Sequence, residues 1–215
     1  ERLVDLPPGV APDRRAGPDA AALRSAGRGA LGIAADERLL LLLGSDFVRK
    51  GLDRAVRALA ALPPALRCRT RLLAVGADAP GPGLRLARRL GVADRVRCDG
   101  GRDDVPRLLQ AADLLVHPAR IENTGTVLVE ALAAGLPVLC TAACGHAAHV
   151  AAASAGEVVP EPFAQPALDA ALARLLAADR KTLRGRALAW ARAADLGALH
   201  RRILEELEAI AVETP

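Results

Sequence analysis

The run RLLLLLGSDFVRKGLDRAVRALAALP (residues 38–63) contains one complete structural unit. Five leucines in succession, closed by Gly44, read as a strand buried on both faces, since a strand covered on one face would alternate apolar with polar residues. After the loop SDFVRKG the period changes. Leu52, Val56, Leu59 and Leu62 recur at helical spacing until Pro63 and Pro64 end the pattern. A fully buried strand feeding a helix is the repeating unit of a parallel sheet with helices on both faces.

The unit recurs along the chain. Further strands are predicted at residues 71–76 (RLLAVG), 94–100 (DRVRCDG), 113–118 (DLLVHP), 136–141 (LPVLCT) and 156–160 (GEVVP). Helices are predicted at residues 84–91, with Gly91 as the stop, from Asp103 and Asp104 through Leu108, Leu109 and Ala111, and at residues 124–135 (TGTVLVEALAAG). From Gln165 onward the chain reads as helical. Residues 1–28, rich in Pro, Gly and Ala, read as an opening linker with a short helix, residues 29–195 as the sheet domain, and residues 196–215 as a C-terminal helix. The predicted fold class is α/β, a doubly wound, parallel, six-stranded Rossmann-like sheet. Ligands of such sheets bind beyond the carboxyl ends of the strands where strand order reverses, so the loops after Leu43, Val75, Cys98, Val116 and Leu139 are where chemistry is expected.

Composition narrows the partners. The 215 residues carry 29 Lys plus Arg against 25 Asp plus Glu, a net charge of +4, and 52% are hydrophobic, which excludes intrinsic disorder. The longest apolar run, Leu39 to Leu43, is far short of a membrane span. With Phe47, Phe163 and Trp190 as the aromatic residues and no concentrated basic tract, nucleic acid is not an expected partner. Cys68, Cys98, Cys140 and Cys144 sit in strand-like or apolar settings, as reduced, buried thiols of a cytoplasmic protein would. The chain contains no Met and opens on ERLVDLPPGV, so no signal peptide is legible and a fragment of a longer protein is expected.

Two loops carry the candidate chemistry. In GSDFVRKG, the small residues Gly44 and Ser45 turn the chain and Arg49 and Lys50 precede a helix. Two cations above a helix N-terminus suit a diphosphate, and they equally suit a solvated basic turn. Neither a Walker A sequence nor the dinucleotide fingerprint is present. In HPARIENTGTVLVEALAAGLPV, Glu122 lies in the loop and Glu130 about two turns into the next helix. Glu122 can accept from sugar hydroxyls, the amides of Gly125, Thr126 and Val127 can hold phosphate oxygens, and Glu130 can reach a ribose diol. A helix-terminal charge and a surface glutamate are the plainer readings of the same two residues. His117, before Pro118, fits a structural role somewhat better than a catalytic one. Cys140, Cys144, His146 and His149 are spaced more tightly than ordinary zinc ligands, and no metal is expected there.

These motifs resemble the C-terminal, donor-binding half of retaining glycosyltransferases of the two-Rossmann-domain (GT-B) type, and more narrowly the lipopolysaccharide core glucosyltransferase I family. The resemblance rests on LPPG, GSDFVRKGLDRAVRALAALP, GRDDVPRLLQAADLLVHPA, the Glu122 and Glu130 pair, EALAAGLPVL and ACGHAAHV, and runs from about Leu6 to Phe163. It implies a nucleotide-sugar donor, UDP-glucose first, with transfer of a hexose to a lipopolysaccharide core. Arg49 and Lys50 would grip the diphosphate and Glu122 the sugar, these three being the catalytic set. Gly44, Ser45, Asn123, Thr124 and the helix-start amides would complete the donor site, with Glu130 on the ribose. Arg102, Asp103, Asp104 and Val105 would lie against the base. The family works without cofactor or bound metal, and retention would follow front-face attack assisted by the donor phosphate. The acceptor would sit on an N-terminal domain, without which this chain would be inactive, and the full enzyme could rest on the cytoplasmic face of the inner membrane. Arg120, Asn123, Thr124, His146 and His149 depart from the family pattern and are expected around the sugar and base pockets. They leave open a mannose or N-acetylglucosamine donor with another glycan or lipid acceptor, and a noncatalytic nucleotide-binding module remains the alternative from a different class.

Overall fold

The computed structural model describes Val4 and residues 6–213. Six strands form one parallel sheet: β1 (Arg38–Leu43), β2 (Thr70–Val75), β3 (Val96–Asp99), β4 (Leu114–His117), β5 (Val138–Thr141) and β6 (Gly156–Val159), ordered β3-β2-β1-β4-β5-β6. The helices are α1 (Ala20–Leu31), α2 (Leu52–Ala61), α3 (Pro64–Arg67), α4 (Gly81–Arg89), α5 (Val105–Ala111), α6 (Thr126–Ala133), α7 (Ala147–Ala153), α8 (Gln165–Ala177), α9 (Arg180–Ala193) and α10 (Ala198–Glu213). The doubly wound architecture expected from the alternating periods is present, with all six strands inside or within one residue of their predicted stretches.

The leucine run explains the layering. Leu40 and Leu42 face a core shared with α2, α4 and α8, while Leu39, Leu41 and Leu43 face a core shared with α5, α6 and α7. Successive strand residues point to opposite faces, so an unbroken apolar run serves two cores. Each buried leucine contributes roughly 1.5–3 kcal/mol, which makes β1 the natural centre of the sheet.

Several local expectations change. Helix α7 begins in the ACGHAAHV stretch and runs on to Ala153, where no helix was predicted. The helical tail is three helices, interrupted at residues 178–179 and 194–197. Cys68 is exposed rather than buried, because it caps the short helix α3 instead of entering β2, whereas Cys140 and Cys144 are buried and Cys98 half-buried. Helix α6 begins at Thr126, two residues late, because Gly125 adopts φ +71°, and this puts Glu130 little more than one turn in. Helix α10 packs through Leu199 on Gly9, while Leu204 and Leu207 are exposed. The chain before α1 forms a strap across the back of α6: Val10 N donates to Leu196 O and Ala16 N to Ala133 O. Among the described residues, no helix is long and apolar enough to cross a membrane.

Candidate active site

Strand order reverses between β1 and β4, and the loops leaving these two neighbours build the site. They are fastened together. Gly51 has φ +76°, and a Cβ there would collide with the Pro118 carbonyl, so only glycine lets the loops approach this closely. Arg120 N donates to Arg49 O at 2.8 Å, and its guanidinium makes bonds of 2.8 and 2.9 Å to Asp53. Arg54 donates to the carbonyls of Pro118 and Ala119. A third loop braces the second: Glu122 N donates to Ala143 O, Gly145 N to Glu122 O, and His146 N to Thr124 O. Gly145 lies so close to the Asn123 carbonyl that a Cβ would not fit, which gives the glycine of the ACG motif a physical role.

Within this frame, Lys50 and Glu122 form a mostly buried ion pair, and Arg49 approaches the other Glu122 oxygen at 3.8 Å. The stem of Lys50 lies over Gly44, 3.0 Å from where a Cβ would stand. His117, fully buried at the end of β4, places Nε2 3.4 Å from Glu122 Oε2 and leaves Nδ1 without a partner among the described residues. Burial, then the Lys50 charge, pushes the imidazole down to about 4, so it is neutral at physiological pH. Burial would raise the Glu122 carboxyl, but Lys50 and then His117 outweigh it and hold the group below its ordinary 4.5. Glu130 differs. Burial pushes it up, and Arg14, 3.2 Å away, offsets that only partly.

A cleft of about 430 Å³ opens over these groups. Of the residues singled out in the sequence, Gly44, Ser45, Lys50, Arg102, Val105, Glu122, Thr124, Gly125, Thr126, Val127 and Glu130 line it. Arg49 does not; its Nε rests 3.3 Å from Asp46. Asp103 and Asn123 also stay outside the lining, and Asp104 acts behind it, holding Arg102 through two bonds of 2.8 Å. Arg120, His146 and His149, expected around the sugar and base pockets, lie elsewhere: Arg120 on Asp53, and the imidazoles tilted against each other and, from His149, Trp190. Gly101, which opens the GRDD loop expected against the base, lines the cleft too, and three groups that sequence reasoning did not name join it: Arg14 from the strap, and Gly76 and Ala77 after β2. The loop of the last two had been identified; Arg14 had no such signal. Among the described residues no group of three or more His, Cys, Asp and Glu could hold a metal ion.

A switch-point cleft that sets a cation–carboxylate pair beside the N-terminal amides of α6, with a second carboxylate one turn along, is built for a ligand bearing both phosphate and hydroxyl groups. The chain belongs to the glycosyl transferases group 1 family, which it matches over residues 24–189. It is 48% identical over 176 residues to the lipopolysaccharide glucosyltransferase WaaG of Escherichia coli (strain K12), covering 82% of this chain and 47% of WaaG. It is 37% identical over 156 residues to the D-inositol 3-phosphate glycosyltransferase of Actinosynnema mirum, covering 67% and 36% of the two chains. The crystal structure of WaaG, a glycosyltransferase involved in lipopolysaccharide biosynthesis, superposes with a TM-score of 0.87 at 44% identity, over 92% of this chain and 54% of that one. Anabaena Alr3699/HepE in complex with UDP-glucose gives 0.75 at 26% identity, over 92% and 54%. The fold is thus that of the C-terminal half of a GT-B enzyme, and the chain spans about half the length of these relatives.

Proposed function

We propose that this chain binds the donor of a retaining hexosyl transfer, UDP-glucose, for addition to a lipopolysaccharide core. The observation that carries the reading is the Lys50–Glu122 pair beside the start of α6, with Glu130 in the same cleft. In the structure these charges satisfy each other. A bound donor exchanges the partners: its diphosphate takes Lys50, Arg49 and the α6 amides, and its sugar hydroxyls take Glu122. Glu130 accepts from the ribose, and the Arg102 loop lies against the base. The same cations stabilise charge on the departing UDP as the anomeric carbon–oxygen bond breaks. The acceptor oxygen then bonds to that carbon on the face the UDP leaves, and its proton passes to the donor phosphate, so no protein nucleophile is required. No metal or cofactor is needed, because the cations occupy the place of a divalent ion.

The relatives' greater length supports an acceptor site outside this chain, so donor binding without turnover is expected of it. In the full enzyme the reaction would take place in the cytoplasm, at the cytoplasmic face of the inner membrane. Calorimetry with UDP, UDP-glucose, UDP-N-acetylglucosamine and GDP-mannose, with and without EDTA, tests the reading. Preference for UDP-glucose, unchanged by EDTA, is expected. No heat from any of the four at millimolar concentration overturns the reading, and a preference for another sugar nucleotide reassigns the donor. Arg49→Ala should weaken UDP far more than uridine; equal weakening would place the diphosphate elsewhere.

A further inference from the structure

The cleft at the start of α6 has a counterpart of different chemistry at the helix's other end. A cavity of about 360 Å³ lies between residues 15–17 of the strap, Ala133 and one face of α9, with Leu196 at its edge. Arg15, Arg184 and Arg192 line it, Leu188 and Ala191 supply apolar surface between them, and no carboxylate contributes. Arg184, Leu188 and Arg192 are successive positions four residues apart, so they form one row along α9.

Structural duties account for part of this cluster. Arg184 Nη1 donates to the carbonyls of Ala134 and Gly135, at 3.0 and 3.4 Å, satisfying the C-terminal end of α6. Arg15 donates through Nε and Nη2 to the Val10 carbonyl, at 3.1 and 2.7 Å. Neither duty uses all five donors of a guanidinium, and neither explains why Arg192 joins them. Among the described residues the Arg192 side chain has no hydrogen bond or ion pair. No carboxylate counters the field at Arg184 either: burial and then the nearby Arg24 charge both lower its pKa. The sequence of α9, RKTLRGRALAWARA, contains five cations and no acid, more excess charge than the +4 of the entire chain.

We propose that this cavity is a binding site for a phosphate-bearing anion, held by Arg192 and the uncommitted donors of Arg184 and Arg15, with Leu188 and Leu196 beneath its organic part. Guanidinium forks match phosphate oxygens in pairs, and the mixed lining suits an ester better than a bare ion. The site shares none of its lining residues with the donor cleft, so it stands or falls independently of the reading above. A dissolved phosphate ester and a phospholipid headgroup present the same chemistry, and the experiment separates them.

The intact chain is titrated with inorganic phosphate and with glycerol 3-phosphate while backbone amides are followed by NMR, and is sedimented with phosphatidylglycerol vesicles. Saturable shifts centred on Leu188 and Arg192 are expected with the soluble probes if the ligand is a dissolved ester, and retention on vesicles alone if it is a lipid headgroup. Arg192→Glu should weaken the bound probe by about tenfold or more, the effect of reversing one charge-assisted contact. Arg186→Glu, the same charge change on the same helix but outside the cavity, should leave binding unchanged. Three results would overturn the proposal: no saturable binding of any probe, equal loss in the two variants, or shifts centred on Gly125 and Thr126 instead.

Discussion

Glu122 and Glu130 stand eight residues apart on one cleft, yet their surroundings drive them in opposite directions. Glu122 meets a buried ammonium and a neutral imidazole and is held below its ordinary pKa; Glu130 meets mainly burial, with Arg14 as partial relief, and is pushed up. Both are partly withdrawn from water, so burial alone does not decide the outcome. The difference lies in where the partner comes from. Lys50 is fixed by a loop locked at Gly51, whereas Arg14 reaches over from a strap outside the sheet. One carboxylate is organised by the core of the fold, the other by its edge.

The largest expected effect follows from removing the core partner. Lys50→Met leaves Glu122 buried without its cation and should cost about 3 kcal/mol, read as a lower denaturation midpoint, together with loss of UDP binding by calorimetry. A cost below about 1 kcal/mol would mean that Glu122 is organised no more firmly than Glu130. Gly51→Ala, which forces φ +76° on a side chain and drives its Cβ into the Pro118 carbonyl, should cost about 2 kcal/mol. It should weaken UDP binding even though every charged group is retained.

The two carboxylates should also differ in the sign of their pH dependence. Because the folded-state pKa of Glu122 is depressed, its stabilisation is present above the unfolded value of 4.5 and lost as pH falls through the folded value. Because that of Glu130 is raised, its charged form is a burden at neutral pH, relieved as pH falls through the raised value toward 4.5. At pH 7, Glu130→Gln should therefore be neutral or slightly stabilising and Glu122→Gln destabilising. Thermal melts from pH 3 to 8 show whether the two differences diverge; parallel curves would dissolve the distinction. His117 contributes in the same window. The unfolded chain takes up its proton near 6.5 and the folded chain only near 4, so this residue costs stability progressively as pH falls between those values. The smallest effect is expected from Arg120→Ala. Its pair with Asp53 is substantially exposed, so stability should fall by less than about 1 kcal/mol, with donor affinity only slightly reduced. A large loss would show that the junction of the two loops depends on this surface pair.

The same contrast separates what the sequence disclosed from what it withheld. The four inner strands β1, β2, β4 and β5 were legible because each is buried on both faces and appears as an apolar run, whereas the edge strands β3 and β6, only partly buried, carry shorter and more polar stretches. Helix α7 was not: AAHVAAA is mostly alanine, which packs on any face and leaves no period to detect. Lys50 and Glu122 were legible because each sits a few residues past a strand end, where loop chemistry concentrates. Arg14 was not, since its contact with Glu130 spans 116 residues and nothing local marks it. The direction of a loop side chain was equally hidden. Arg120 follows a strand end as Lys50 does, yet it turns outward, where Asp53 and the Val48 carbonyl take its guanidinium.

Val10 N donates to Leu196 O at 3.2 Å, and Gly9 lies against Leu199, so the chain crosses the back of the sheet domain at nearly the same point on its way in and on its way out. A circular permutant is therefore geometrically simple: a short linker joins the region after Leu196 to that before Val10, and new termini open at the exposed turn of Gly91. Such a chain would carry Glu122 and Glu130 on its N-terminal segment and Arg14 and Lys50 on its C-terminal one, with the new covalent bridge joining the two halves of the donor cleft.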